Sequence, residues 1–139
     1  MKVSEDEAKK LWRTADCVCF DVDSTVCMDE GLDELAKYLG KAEAVSEITR
    51  KAMSGGMSFR EALQLRLKIL KPSQQQVLEF VCNHPVQLTP GVDELIDKLR
   101  ARNAHVYLIS GGFRALIEPV AQLLNLPVDN IIANKFLFK

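Results

Sequence analysis

Cys17-Val-Cys-Phe-Asp21-Val-Asp-Ser-Thr25 decides the fold of this 139-residue chain. Cys17–Asp21 is a short apolar run that ends on an acid, the appearance of a strand buried on both faces in a parallel sheet. Asp21-Val22-Asp23-Ser24-Thr25 then sets two carboxylates two residues apart at the strand's carboxyl end. In doubly wound sheets that end is where ligands collect. Acids so spaced can converge on one metal ion and one phosphoryl group. Asp21 can attack phosphorus to form an aspartyl-phosphate, and Asp23 can protonate the leaving oxygen and later deprotonate water. A carboxylate approaching a dianionic ester is repelled by it, so the chemistry requires Mg²⁺ beside Asp21 and Asp23. An EF-hand loop also begins with alternating acids, but Val26 occupies its glycine position and Leu32 its bidentate glutamate position. A plain acidic turn is the simpler alternative.

Outward from this stretch the chain reads as alternating elements. Upstream, residues 5–15 predict an amphipathic helix with Ala8, Leu11, Trp12 and Ala15 on one face. Downstream, residues 31–82 read as helical. Leu32, Leu35, Ala36 and Leu39 form one stripe stopped by Gly40, and Val45, Ile48, Thr49 and Ala52 form another before Ser54-Gly55-Gly56. Ser58 with Glu61, and Ser73 with Gln76, are capping-box patterns opening two more helices. Thr89 is the expected N-cap of a further helix, with Pro90 at its first position and Leu95, Ile96 and Leu99 on its apolar face. A strand at 105–109 follows, then Ser110-Gly111-Gly112, then a helix at 113–124 that Pro119 should kink or shorten. A last short strand falls at 130–133.

This order predicts an α/β fold with a Rossmann-like, mostly parallel sheet. Residues 1–29 and 83–139 would form the core, and 30–82 a helical cap inserted after the first strand.

Composition narrows the function classes. With 47% hydrophobic and 27% charged residues, the chain is an ordinary globular protein. A net charge of −1 gives no footprint for nucleic acid or an acidic membrane surface. No apolar run reaches the roughly 18 residues of a membrane span. The start Met1-Lys2-Val3-Ser4-Glu5-Asp6-Glu7 lacks a signal-peptide core, and its acids argue against a transit peptide, so a cytoplasmic protein is expected. Cys17, Cys19, Cys27 and Cys82 are expected to be reduced and mostly buried, since neither His84 nor His105 completes a zinc-ligand spacing with them.

Three further features bear on chemistry. Ser110-Gly111-Gly112, between a strand and a helix, offers a hydroxyl and backbone N–H groups to a phosphate, though the tripeptide alone is as readily a turn. Arg66 falls seven residues after Phe59, on the helix face that also carries Ala62, Leu63, Leu67 and Leu70. There it is a snorkelling side chain, an internal ion pair, or the grip on a substrate carboxylate. Glu30 is either an exposed loop acid or the partner of a substrate ammonium.

Taken together, Asp21-Val-Asp-Ser-Thr25, Glu30, Met53, Arg66 and Leu108-Ile-Ser-Gly-Gly-Phe113 strongly resemble the phosphoserine phosphatase family of the haloacid-dehalogenase-like superfamily. The resemblance runs along essentially the whole chain. It implies Mg²⁺-dependent hydrolysis of L-phosphoserine to L-serine and phosphate, the last step of serine biosynthesis. Asp21 becomes the nucleophile and a metal ligand, while Asp23 becomes the acid/base and offers its backbone carbonyl to the metal. Ser110, Gly111 and Gly112 hold the phosphoryl group. Glu30 and Arg66 read the ammonium and carboxylate, and Met53 lines the pocket. Ser54 stands where the family usually has glycine. The partner implied is a small molecule, with neither nucleic acid nor membrane, and a homodimer is compatible with it.

The family's later motifs supply a lysine to the phosphate and paired aspartates to Mg²⁺, and Asp129, Lys135 and Lys139 lack their context. The expectation is therefore a core incomplete at its C-terminus, a bare edge on the first strand, and a truncated or incomplete sequence weakly active or inactive alone. The alternative function is a binding or regulatory protein that retains the phosphate-binding loop.

Overall fold

The computed structural model describes residues 2–138. Its sheet has three parallel strands: β1 (Cys17–Phe20), β2 (His105–Phe113) and β3 (Ile131–Asn134), in the order β1-β2-β3. The register pairs Cys17 with His105 and Phe20 with Leu108, then Leu108 with Ile131 and Ile109 with Ile132. The carboxyl ends of β1 and β2 therefore come out side by side, and β1 occupies one edge of this sheet, as expected.

The helices around the sheet are α1 (Glu5–Thr14), α6 (Val92–Ala101) and α7 (Arg114–Leu123). Ile96 and Leu99 of α6 and Ile117, Val120 and Ala121 of α7 share one core cluster with Val106 and Leu108 of β2. Both helices thus cover the same face of the sheet. Residues of opposite parity, Cys17, Cys19, Ile109 and Ile132, are exposed. This corrects the expectation that β1 is buried on both faces and that the cysteines are mostly buried, since Cys82 is exposed as well and only Cys27 is enclosed. The four thiols are free.

Helix α1 leaves that outer face uncovered, because none of its residues is buried. A Ser4–Glu7 capping box starts it. At its other end the Arg102 guanidinium donates to the carbonyls of Trp12 (2.7 Å), Arg13 (3.0 Å) and Ala15 (3.2 Å). The helix is held by charge-assisted hydrogen bonds rather than by its apolar stripe.

Two other local expectations are revised. Helix α6 begins later than expected, with Gly91 at φ +86° as its N-cap. Thr89 instead donates its hydroxyl to the Thr25 carbonyl at 2.6 Å, tying the turn after β1 to the chain entering α6. Helix α7 runs on through Pro119. Burial of Ile117, Val120 and Ala121 outweighs the one helix bond that the proline cannot donate.

Between β1 and α6 lie α2 (Gly31–Tyr38), α3 (Ala42–Lys51), α4 (Phe59–Leu70) and α5 (Gln74–Asn83). The expected capping boxes open α4 and α5, and Gly40 takes a left-handed φ of +71° after α2. Leu32, Leu35, Ala36, Val45, Leu70, Val77 and Phe80 close a second core. That core reaches the sheet at Phe113, on which Phe136 stacks at a centroid distance of 3.9 Å. Among the described residues no helix is long and apolar enough to cross a membrane.

Candidate active site

At the end of β1 the chain makes one wide turn over Val22–Val26. Buried Val22 and Val26 pin it from below, and the Cys27 amide closes it by donating to the Val22 carbonyl at 3.0 Å. Ser24 crosses the top at φ +57°, and its amide donates to the Asp29 carbonyl at 3.1 Å. Asp21 and Asp23 flank Val22, whose apolar side chain faces the core. Asp23 Oδ1 accepts from the Gly31 amide at 3.3 Å, the first residue of α2. The carboxylate therefore sits at a helix N-terminus, where partial positive charge favours it.

The second strand end lies beside the first. Residues 110–112 continue β2 in extended form, but the pairing with β3 is irregular between Ile109 and Phe113. Ser110–Gly112 thus leaves the regular ladder, a bulge that presents backbone to the cleft rather than to a neighbouring strand. This modifies the expected turn leading into a helix, although α7 does begin at once with Arg114. Ser110 Oγ accepts from the Gly112 amide at 2.9 Å, and Asn134 Nδ2 donates to the Gly111 carbonyl at 2.9 Å. No sequence motif marked Asn134. It comes into play through its place at the end of β3.

A cavity of about 210 Å³ opens between these strand ends and the helical lobe. Asp21 and Asp23 line it with Ser110, Gly111 and Gly112, and so do Glu30 and Arg66. Seven of the nine residues singled out from sequence thus share one space. Met53 and Ser54 do not line it. They lie on the exposed turn at 52–56, where Met53 is 84% exposed and Ser54 Oγ donates to the Lys51 carbonyl at 2.8 Å.

Phe59, assigned from sequence only to an apolar helix face, is a cavity residue that this reading missed. Its ring lies so close to Gly111 that a Cβ there would fall 2.9 Å from the ring's Cζ. Glycine at 111 is a requirement of this close approach, and α4 here touches the bulge directly. The apolar spacing that identified α4 could not separate a ring buried in the lobe from one resting on the far wall.

Charge in the cavity is unevenly matched. Arg66 Nε donates to the Ala62 carbonyl at 3.4 Å, and among the described residues no carboxylate lies within 4.0 Å of its guanidinium. The internal ion pair is thereby set aside. Glu30 accepts from Ser24 Oγ at 2.7 Å. Burial pushes the Asp23 carboxyl up to about 6, aided by the charges of Glu30 and Asp21 and opposed by the Gly31 amide. Asp21, Asp23 and Glu30 together form an all-oxygen donor set with surplus negative charge, which fits a hard divalent cation. Asp21 and Asp23 are the residues that would hold it.

Paired carboxylates at one parallel strand end thus lie beside a Ser-Gly-Gly bulge at the next, at the edge of the sheet where ligands of α/β folds collect. Residues 18–139 match the haloacid dehalogenase-like hydrolase family, and the chain belongs to it. It is 54% identical over 136 residues to the chloroplastic phosphoserine phosphatase of Arabidopsis thaliana, an alignment covering 98% of this chain and 46% of that protein. Among solved structures, DsGPDH of Dunaliella salina superposes with a TM-score of 0.88 at 37% identity, covering all of this chain and 24% of that one. A substrate-bound phosphoserine phosphatase complex superposes with a TM-score of 0.76 at 31% identity, covering 91% of this chain and 59% of the other. The chain spans about half the length of the curated relatives it matches.

Proposed function

We propose that this chain carries the nucleophile, acid/base and substrate-reading residues of a Mg²⁺-dependent phosphoserine phosphatase, hydrolysing L-phosphoserine to L-serine and phosphate in serine biosynthesis. One observation carries the reading. The two strand-end motifs open into one cavity with the unpaired guanidinium of Arg66 and the carboxylate of Glu30. A phosphorylated amino acid presents an anion for the first pair, and a carboxylate and an ammonium for the second. The similarity to phosphoserine phosphatases over nearly the whole chain supports the same substrate.

The chemistry follows from the positions. Asp21 is the more exposed acid and the nucleophile. Its carboxylate oxygen attacks phosphorus, the ester oxygen departs, and an aspartyl-phosphate forms. Asp23 gives its proton to the departing seryl oxygen, then removes one from the water that hydrolyses the acyl-phosphate. Burial raises the Asp23 carboxyl above the ordinary carboxylate range, the direction that suits a group that must give and take a proton. Ser110 Oγ and the backbone of Gly111 and Gly112 receive the phosphoryl oxygens. A divalent cation held by Asp21 and Asp23 would supply charge neutralisation at the phosphoryl group.

In this reading residues 1–29 and 83–139 form the catalytic core and 30–82 the cap, with Glu30 and Arg66 brought by the cap. Met53 and Ser54 enter only if the 52–56 turn moves toward the cavity. A cytoplasmic location and a small-molecule partner belong to the same proposal. Nothing in the similarity favours a purely regulatory protein.

The test is phosphate release from L-phosphoserine by the purified chain with Mg²⁺, beside Asp21→Asn. Transfer of one phosphoryl group to the chain, trapped by acid quench and lost in Asp21→Asn, supports the reading. A folded chain that never acquires that group contradicts it.

A further inference from the structure

A second cluster of ligating side chains lies where the two linkers of the helical lobe run together, Asp29 and His84 lining a pocket whose other wall includes Asp23 and Gly112. The first linker, 27–30, leaves the turn after β1, and the second, 84–91, enters α6. They are stitched by Met28 N to the Gln87 carbonyl (2.9 Å), Thr89 N to the Val26 carbonyl (2.8 Å) and an antiparallel bridge between Cys27 and Leu88. Asp29 of the first linker and His84 of the second face one another, with Nε2 and Oδ2 3.0 Å apart. Glu34, one turn into α2, completes the group, and one ligating atom from each of the three lies within 4.8 Å of the others. Sequence spacing could not reveal this set, because Asp29 and His84 are 55 residues apart.

We propose that Asp29, Glu34 and His84 form a binding site for a late first-row divalent metal such as Zn²⁺, fastening both linkers to α2. The donor set is one imidazole and two carboxylates, with the fourth position left to water. Imidazole selects zinc-like metals over Mg²⁺, so the site is chemically distinct from the all-oxygen Asp21 and Asp23 pair. The side chains are half-buried, which limits competition from water without closing the approach. The His84 ring is held in place by stacking on buried Phe80, with centroids 4.7 Å apart and planes 20° off parallel. Tetrahedral coordination needs donor atoms about 3.4 Å apart at zinc–ligand distances near 2.1 Å. Asp29 and His84, at 3.0 Å, have only to part slightly to reach that spacing, and Glu34 reaches it by turning on its flexible stem. Glu34 now pairs with the exposed Lys37 at 2.9 Å, a contact that a metal would replace. Exposed pairs of this kind are worth little. This inference stands independently of the phosphatase reading.

The test is titration of the chain with Co²⁺ in excess Mg²⁺, read by the visible d–d absorption of a four-coordinate, nitrogen-containing site and by displacement with Zn²⁺. One equivalent is expected to bind, with the His84 imidazole NMR signals moving and those of His105 unmoved. Affinity should fall at least about tenfold in His84→Gln and in Glu34→Gln, and stay unchanged in Asp21→Asn. The Glu34→Gln variant, which keeps the side chain's size, keeps the test open if His84→Gln does not fold. Absence of binding, or binding that follows Asp21 rather than His84 and Glu34, overturns the proposal.

Discussion

The two walls of the proposed catalytic cavity are built on different principles. Asp21, Asp23 and Ser110–Gly112 sit at the ends of paired strands, where register and the buried Val22 and Val26 fix the backbone that carries them. Glu30, Phe59 and Arg66 come from a linker and a helix, and Phe59 and Glu30 are exposed. The first wall is positioned by sheet topology, whereas the second is positioned by how the helical lobe rests against it. Changes in the first wall should therefore strike the chemical step, and changes in the second should strike substrate recognition.

The largest effect expected is from Asp21→Asn, which removes the proposed nucleophile while keeping its shape. Turnover should fall by at least about 10³-fold with little change in the thermal midpoint. A variant that kept most of its turnover would break the contrast at its strongest point. Next comes Arg66→Ala. Loss of a charge-assisted hydrogen bond to a carboxylate costs about 1.5–3 kcal/mol, so KM for L-phosphoserine should rise roughly 10- to 100-fold with kcat less affected. A phosphorylated alcohol lacking the carboxylate should show no such rise. If both substrates lost equally, Arg66 would belong to the first wall.

How much of this could be read beforehand follows the same division. The strand-end motifs were legible because a strand ending in Asp-x-Asp, and another ending in Ser-Gly-Gly, are local patterns, and parallel pairing then forces them together. Arg66 was legible as a helix-face anomaly, since an arginine on an apolar stripe requires an account. Phe59 was hidden because its apolar spacing is the same whether it faces the lobe's interior or Gly111. Met53 and Ser54 are local in sequence, but their place depends on how the lobe sits, which no local pattern encodes. The exposure of Cys17 and Cys19 was equally out of reach, since it depends on α6 and α7 sharing one face of the sheet. Thr89 misled for a subtler reason. A threonine before Pro-Gly has the chemistry of an N-cap, yet the Thr25 carbonyl competes for its hydroxyl from 64 positions away.

The point where the walls touch allows a sharper test. Gly111→Ala would place a methyl group against the Phe59 ring. That ring is the far end of an exposed side chain, so it can swing aside, and the stability cost should stay within about 0.5 kcal/mol. Turnover should nevertheless drop by roughly tenfold as the helical lobe loses its seat on the bulge. Combining it with Phe59→Ala measures the coupling. A loss in the double variant no greater than in Phe59→Ala alone would show that the methyl acts only through the ring, and strict additivity would show that the two walls are independent.

The smallest effect concerns stability. A raised carboxyl pKa means that the folded chain binds the proton more tightly than the unfolded chain. Asp23 therefore costs nothing below its ordinary value near 3.8, destabilises progressively as pH rises to about 6, and imposes its full cost above that. Discounted for partial solvent screening, the cost at neutral pH is about 1 kcal/mol. Asp23→Asn keeps an oxygen for the Gly31 amide while removing the charge. In metal-free buffer it should be more stable than the parent by that amount at pH 7.5 and indistinguishable near pH 4, as read by denaturant titration. Arg66→Ala, on the other wall, should show no comparable gain. An Asp23→Asn gain that persisted unchanged at pH 4 would mean that packing, not charge, sets the difference. The strand-end wall would then carry no electrostatic strain for a cation to relieve.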